Sequence, residues 1–143
     1  MRALFDAGVA AVDLAGAGGT SWSEVERHRI VEPWRARVAG AFAGWGIPTA
    51  ECLRTARTIA PTETLIASGG IRTGLEALKG LALGADAVGI AGPFLRAASA
   101  GYAEAAEFAR ELIEVLRVGM FAVGRRTLGE LRSFPCLTRV APG

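Results

Sequence analysis

Two stretches, Ile66-Ala67-Ser68-Gly69-Gly70-Ile71-Arg72 and Val88-Gly89-Ile90-Ala91-Gly92-Pro93, each run apolar residues into glycine just ahead of a helical pattern. A strand that ends in a glycine turn and feeds a helix leaves backbone N–H groups and the positive end of a helix dipole facing the space beyond the strand. That arrangement suits a phosphate. The loop from Ser68 to Arg72 offers successive N–H groups, and Arg72 either adds a charge-assisted contact or is a solvent-facing loop residue.

Working outward, Thr64–Ser68 is a strand, and Gly74–Gly84 carries Leu75, Leu78, Leu81 and Ala82 at helical spacing. Gly84-Ala85-Asp86 turns the chain into another strand, Ala87–Ala91. Upstream, a helix end at 2–7 stops at Gly8, and Val9-Ala10-Ala11-Val12-Asp13-Leu14 has the β-branched apolar character of a doubly covered parallel strand. It runs into Ala15-Gly16-Ala17-Gly18-Gly19-Thr20, whose spacing is neither the dinucleotide fingerprint nor a lysine-bearing P-loop. This third glycine loop is either a plain turn or a ligand contact, with Thr20 bringing a hydroxyl to the rim.

The other segments are helices of uneven clarity. Ser21 or Ser23 caps a segment beginning at Trp22. Residues 27–45 are the least regular, interrupted by Pro33 and weakened by Gly40 and Gly44, and read as a long excursion that is either a lid or oligomer contact or packing filler. Glu51–Ala60 follows, with Thr49 as its cap and Leu53, Ala56 and Ile59 on its buried side. After a short helix, Phe94–Ala98, comes a long one, Tyr102–Met120, with Phe108, Leu112, Val115, Leu116 and Gly119 on one face. Thr127 and Glu130 have capping-box spacing, and residues 133–143 read as an irregular tail after a domain spanning 1–132.

Three strands with covering helices make a right-handed parallel series. Two glycine turns after successive strands suggest the paired phosphate grip that (β/α)₈ TIM barrels build after their last two strands, and the series, α/β in class, fits either the C-terminal part of such a barrel or a small open sheet. A whole barrel takes about 250 residues, or roughly 31 per unit. With 143 residues the chain is expected to be either a fragment or an open-edged unit that pairs with another chain.

Composition narrows the classes. At 51% hydrophobic and 21% charged the chain builds a core, and 16 basic against 14 acidic residues give +2, too little and too scattered for nucleic acid. No apolar run reaches the about 18 residues of a membrane span, and the N-terminus lacks a signal-peptide core. Cys52 and Cys136 stand far apart without metal-knuckle spacing, and a reduced cytoplasmic setting is the default. Acid–base candidates are few. His28, the one histidine, lies outside the glycine loops and reads as a surface or packing residue. Asp13 either contacts a ligand or bonds neighbouring backbone, and Glu24 and Glu26 are either first-turn helix charges or catalytic groups.

The ordered set V-D-L-A-G-A-G-G-T-S-W (12–22), W-G-I-P-T-A (45–50), I-A-S-G-G-I-R-T-G (66–74), L-A-L-G-A-D (81–86) and I-A-G-P-F-L (90–95) resembles the type 2 isopentenyl-diphosphate isomerases, FMN-dependent (β/α)₈ barrels. M-F-A-V-G (120–124) and L-G-E-L-R (128–132) look like that family's closing helices. The resemblance implies FMN contacts at Thr20, at Gly70, Ile71 and Arg72, and at Ala91 and Gly92, with Gly69 assisting. Ala15 stands where many members have serine, which removes a hydroxyl and slightly weakens one flavin contact that the resemblance implies. It further implies interconversion of isopentenyl and dimethylallyl diphosphate with the flavin taking part in proton transfer, a need for NADPH and Mg²⁺, and catalytic, substrate and metal residues on earlier barrel units. A homo-oligomer, or pairing with the other units, is expected. The rival readings are an FMN oxidase or dehydrogenase, the lack of a catalytic histidine near the phosphate loops counting against a hydroxy-acid oxidase, and a non-catalytic phosphate- or nucleotide-binding half-barrel that dimerises.

Overall fold

A computed structural model describes residues 1–133 and 136–138. The chain runs α1 (Arg2–Asp6), β1 (Ala11–Leu14), α2 (Trp22–Arg29), α3 (Pro33–Gly40), α4 (Thr49–Ile59), β2 (Thr64–Ala67), α5 (Gly74–Ala82), β3 (Ala87–Val88), α6 (Gly92–Ala100), α7 (Tyr102–Ala122) and α8 (Leu128–Arg132). Its strands form one parallel sheet in the order β1-β2-β3, as the strand–glycine–helix repeat indicates. Leu14 pairs with Ala67, and Ala67 with Val88, so all three strands deliver their C-terminal ends to one edge. Most of the residues assigned to the irregular tail lie outside the described set.

The pleat decides what each face of the sheet does. Leu65 and Ala67 of β2 are buried and, with Val12, Leu14 and Val88 from its neighbours, pack against Leu53, Ala56 and Ala60 around α4. The alternate residues Asp13 and Ile66 are register partners on the opposite face. The sequence suggests strands covered on both faces; among the described residues, helices cover only the first. A second cluster gathers Leu78 and Leu81 of α5 with Leu131 of α8. Leu65 is fully buried on the central strand, and Leu65→Ala is expected to lower the unfolding free energy by about 3 kcal/mol, read from the urea midpoint.

Helical phase accounts for two corrections. Leu53, Ala56 and Ala60 follow the i, i+3, i+7 stripe, whereas Ile59 falls off it and is 43% exposed. Leu75 is likewise outside the buried arc of α5 and 52% exposed. The excursion at 27–45 is more regular than its composition suggests, because Pro33 occupies the first turn of α3, where a missing N–H costs nothing. It is also poor packing filler, since Trp34 and Trp45 stand largely in solvent. The third strand is shorter than expected, ending at Val88, and α6 begins earlier, at Gly92.

Candidate functional site

The C-terminal strand ends open into a cleft of about 760 Å³. Thr20, Gly69, Gly70, Ile71, Arg72, Ala91 and Gly92, the seven residues singled out in the sequence, all line it. Parallel strands make this convergence unavoidable, because each β-to-helix loop leaves the sheet on the same side.

The glycines at 69 and 70 have positive φ values of 69° and 87°. Both make room for a neighbouring loop. A Cβ on Gly69 would overlap the carbonyl of Ala15, and one on Gly70 the carbonyl of Gly18, so both glycines admit the first glycine loop against the second. The two loops touch backbone to backbone, and the cleft lies over the seam.

Donor bookkeeping narrows the loop further. Ser68 donates its N–H to the Leu14 carbonyl at 3.3 Å, and Arg72 donates its own to Glu76 Oε2 at 2.7 Å. The amide of Arg72 is therefore spent, leaving its guanidinium as its contribution to the cleft. Gly69, Gly70 and Ile71 retain N–H groups with no protein acceptor among the described residues. The Glu76 carboxylate also accepts from Thr73 N–H at 3.2 Å while Thr73 Oγ1 accepts from Glu76 N–H, a reciprocal capping box that starts α5. The Arg72 N–H in particular holds the Glu76 carboxyl below the usual carboxylate range. Because the folded value is depressed, the stabilisation is complete above the ordinary value of 4.5 and is lost as pH falls through the folded value.

From the other side, the first turn of α6 presents the N–H groups of Gly92 and Phe94, Pro93 having none, and an edge-to-face contact between Phe94 and Phe108 of α7 (ring centroids 4.9 Å apart) fixes that helix. Arg96, one turn into α6, also lines the cleft and was not foreseen; the signal was available, since Arg96 lies four positions after Gly92 on the same helical face. Neither the Arg72 nor the Arg96 guanidinium stands in a salt bridge among the described residues, although the charge of Arg72 acts on the Glu76 carboxyl. Asp13 is the single carboxylate on the lining, and it accepts the Ser68 hydroxyl at 2.6 Å rather than a backbone donor. With two guanidiniums and one carboxylate, the cleft is net positive.

Other candidates fall elsewhere. His28 lines a separate depression with Arg27 and Arg37 between α2 and α3. Glu24 pairs with Arg27 at 2.6 Å and Glu26 with Arg29 at 3.5 Å, so both read as helix charges. Ser21 stands at the N-cap of α2, but its hydroxyl bonds Ser23 Oγ and the Ala43 carbonyl rather than a helix N–H. Thr49 is not a cap: Pro48 takes that position, and the hydroxyl turns toward the glycine loops. Thr127 does cap α8, although Glu130 reaches back to the N–H of Arg126 instead of completing the box at Thr127. No group of three or more His, Cys, Asp or Glu side chains among the described residues is placed to hold a metal, and no helix among them is long and apolar enough to cross a membrane.

Residues 2–137 match the family described as FMN-dependent dehydrogenase. Curated relatives named isopentenyl-diphosphate delta-isomerase include one from Synechococcus sp., 50% identical over 129 residues (90% of this chain and 37% of the relative), and one from Nostoc sp., 45% identical over 137 residues (96% and 39%). The chain thus spans under two fifths of the length of these relatives. Among solved structures, a mandelate oxidase with benzoyl-formic acid superposes with a TM-score of 0.69 at 25% identity, covering 92% of this chain and 33% of that one. GMP reductase from Trypanosoma brucei in complex with guanosine 5'-triphosphate gives 0.66 at 26% identity, over 92% and 28%.

Proposed function

The chain belongs to the FMN-dependent dehydrogenase family, a family of TIM barrels, and from that premise we propose that the cleft over β1–β3 holds the phosphate of FMN. The observation that carries this reading is the meeting of three unpartnered N–H groups, at Gly69, Gly70 and Ile71, with the α6 N-terminus and the guanidiniums of Arg72 and Arg96. The donor set fits a dianion: backbone N–H groups bind without losing side-chain entropy, and two cations outweigh Asp13. Thr20 adds a hydroxyl at the rim, and Ala91 with Gly92 closes the opposite side.

Relatives named isopentenyl-diphosphate delta-isomerase support a more specific assignment, in which this chain supplies the cofactor-holding part of an enzyme that moves the double bond of isopentenyl diphosphate to give dimethylallyl diphosphate. FMN bound there would supply the proton-transferring ring that an allylic shift needs. The chain's own contribution is to anchor and orient it. Ser68 and Asp13 form a polar pair on the same lining, where the second carboxylate oxygen is left to accept from a ligand group. An oxidase reading gains little from the site, since His28 is on another surface. β1 and β3 are edge strands of the sheet among the described residues, which supports pairing with further barrel strands.

Titration of the purified full chain with FMN, followed by flavin fluorescence, tests the cofactor reading. Saturable uptake that weakens with salt is expected, and Arg72→Gln is expected to cost about 1.5–3 kcal/mol of binding. A chain that takes up no FMN ends the cofactor reading. Conversion of isopentenyl diphosphate in the presence of reduced FMN tests the isomerase assignment.

A further inference from the structure

We propose that Thr49 is a positioning residue: its hydroxyl clamps the two glycine loops together and so aims the N–H groups of the phosphate grip. The inference rests on the FMN reading for its functional consequence and on the chain's own geometry for the clamp. Thr49 Oγ1 lies 2.6 Å from the Ala15 carbonyl oxygen and 3.0 Å from the Gly69 carbonyl oxygen, at the ends of loops that follow different strands. One hydroxyl proton serves both acceptors, and neither carbonyl has another donor among the described residues.

Peptide planarity turns that contact into an orienting device. In a trans peptide unit the C=O and the following N–H point in opposite directions. Drawing the Gly69 carbonyl toward Thr49 therefore turns the Gly70 N–H away from Thr49, and drawing the Ala15 carbonyl does the same for the Gly16 N–H. Gly16 and Gly70 line the cleft, whereas Thr49 does not. Thr49 thus acts on a ligand only through the backbone of the loops.

The segment around Thr49 is built as a shim. The Ala17 N–H donates to the Ile47 carbonyl at 2.8 Å, tying the first glycine loop to the residues just before α4. A Cβ on Gly18 would overlap Thr49 Oγ1 as well as the Gly69 carbonyl, so the hydroxyl sits in the narrow space between the loops. Loss of the donor leaves two carbonyl oxygens facing each other across that space with no proton between them, an arrangement that favours separation of the loops.

The test compares FMN with riboflavin, which lacks the phosphate, on the full chain and on Thr49→Val, Thr49→Ser and Thr58→Val. Thr58 lies on the same helix and its hydroxyl bonds the Arg54 carbonyl at 3.1 Å, so its variant controls for loss of a helical threonine hydroxyl. Thr49→Val is expected to weaken FMN about tenfold with riboflavin unchanged, Thr49→Ser to restore wild-type affinity, and Thr58→Val to match wild type. Equal FMN affinity in Thr49→Val and wild type, parallel loss of FMN and riboflavin, or failure of serine to rescue would each overturn the proposal. If Thr49→Val does not fold, Thr49→Ala removes the same donor with less bulk and is held to the same outcomes. A wild-type chain that binds no FMN would sink the cofactor reading instead, and amide hydrogen exchange then decides the clamp. Faster exchange across 15–20 and 68–72 in the variant alone retains it, and unchanged exchange overturns it.

Discussion

Gly70→Ala and Gly70→Val are both expected to lose FMN, with affinity falling by more than about 100-fold, while the far-UV helix signal survives. The cause is the Cβ itself rather than side-chain size. Gly70 has φ of 87°, a conformation that costs any L-residue, and a Cβ there would overlap the Gly18 carbonyl, so the first glycine loop has to leave the second. Of the two loops, Ile71 alone packs against the buried cluster around Leu53 and no residue packs against the one around Leu78, among the described residues, which is why the helices are expected to persist. Gly92 provides the contrast. It stands at the N-terminus of α6, where a new Cβ would meet only the tip of Arg96 at 3.7 Å, and Gly92→Ala is expected to keep FMN within about threefold of wild type. Gly70→Ala with undiminished affinity would mean that contact between the two loops is not what shapes the grip.

The same pair of glycines marks how far the sequence is legible. That residues 69 and 70 must be glycine, and that Thr20, Arg72 and Gly92 share a rim with them, follows from strand direction and glycine placement alone. What the glycines face does not follow, because the loop against them comes from the previous unit and its approach is a long-range contact. Thr49 is the clearest case. Its place before a helix makes a cap the natural reading, yet Pro48 takes the cap position and the hydroxyl serves two loops distant in sequence. Periodicity was reliable where burial is one-sided and continuous, as for Leu53, Ala56, Leu78 and Leu81, and failed at Ile59 and Leu75, where spacing near the stripe is not the same as lying on it. Conversely, Thr73-Gly74-Leu75-Glu76 has capping-box spacing in the sequence itself, and the box fixes how the Arg72 amide is spent.

At the opposite end of the strands, Arg57→Ala is expected to lower the unfolding free energy by about 3 kcal/mol while leaving the FMN affinity of the folded chain unchanged. Arg57 Nη1 donates to the carbonyls of Ala60 and Glu63, each at 2.9 Å, and to that of Pro61 at 3.2 Å. Its Nε and Nη2 donate to the Gly84 carbonyl at 2.9 and 2.6 Å, and Nη2 also pairs with Asp86 Oδ2 at 2.7 Å. Asp86 Oδ2 in turn accepts the N–H of Leu65, the first buried residue of β2, while Arg132 of α8 contacts the other carboxylate oxygen. One planar fork thus joins the end of α4, the entry to β2 and the turn into β3. Burial lowers the Arg57 pKa and the Glu63 charge opposes that shift. Arg57→Lys keeps the charge but replaces the fork with a single ammonium, which cannot reach carbonyls on both sides, so it is expected to recover less than half of the loss. In parallel α/β barrels the C-terminal strand ends carry binding and the N-terminal ends carry stability, and the two glycine and arginine substitutions separate these roles within one short chain. An Arg57→Ala chain that kept its urea midpoint but lost FMN as Gly70→Val does would reverse that division.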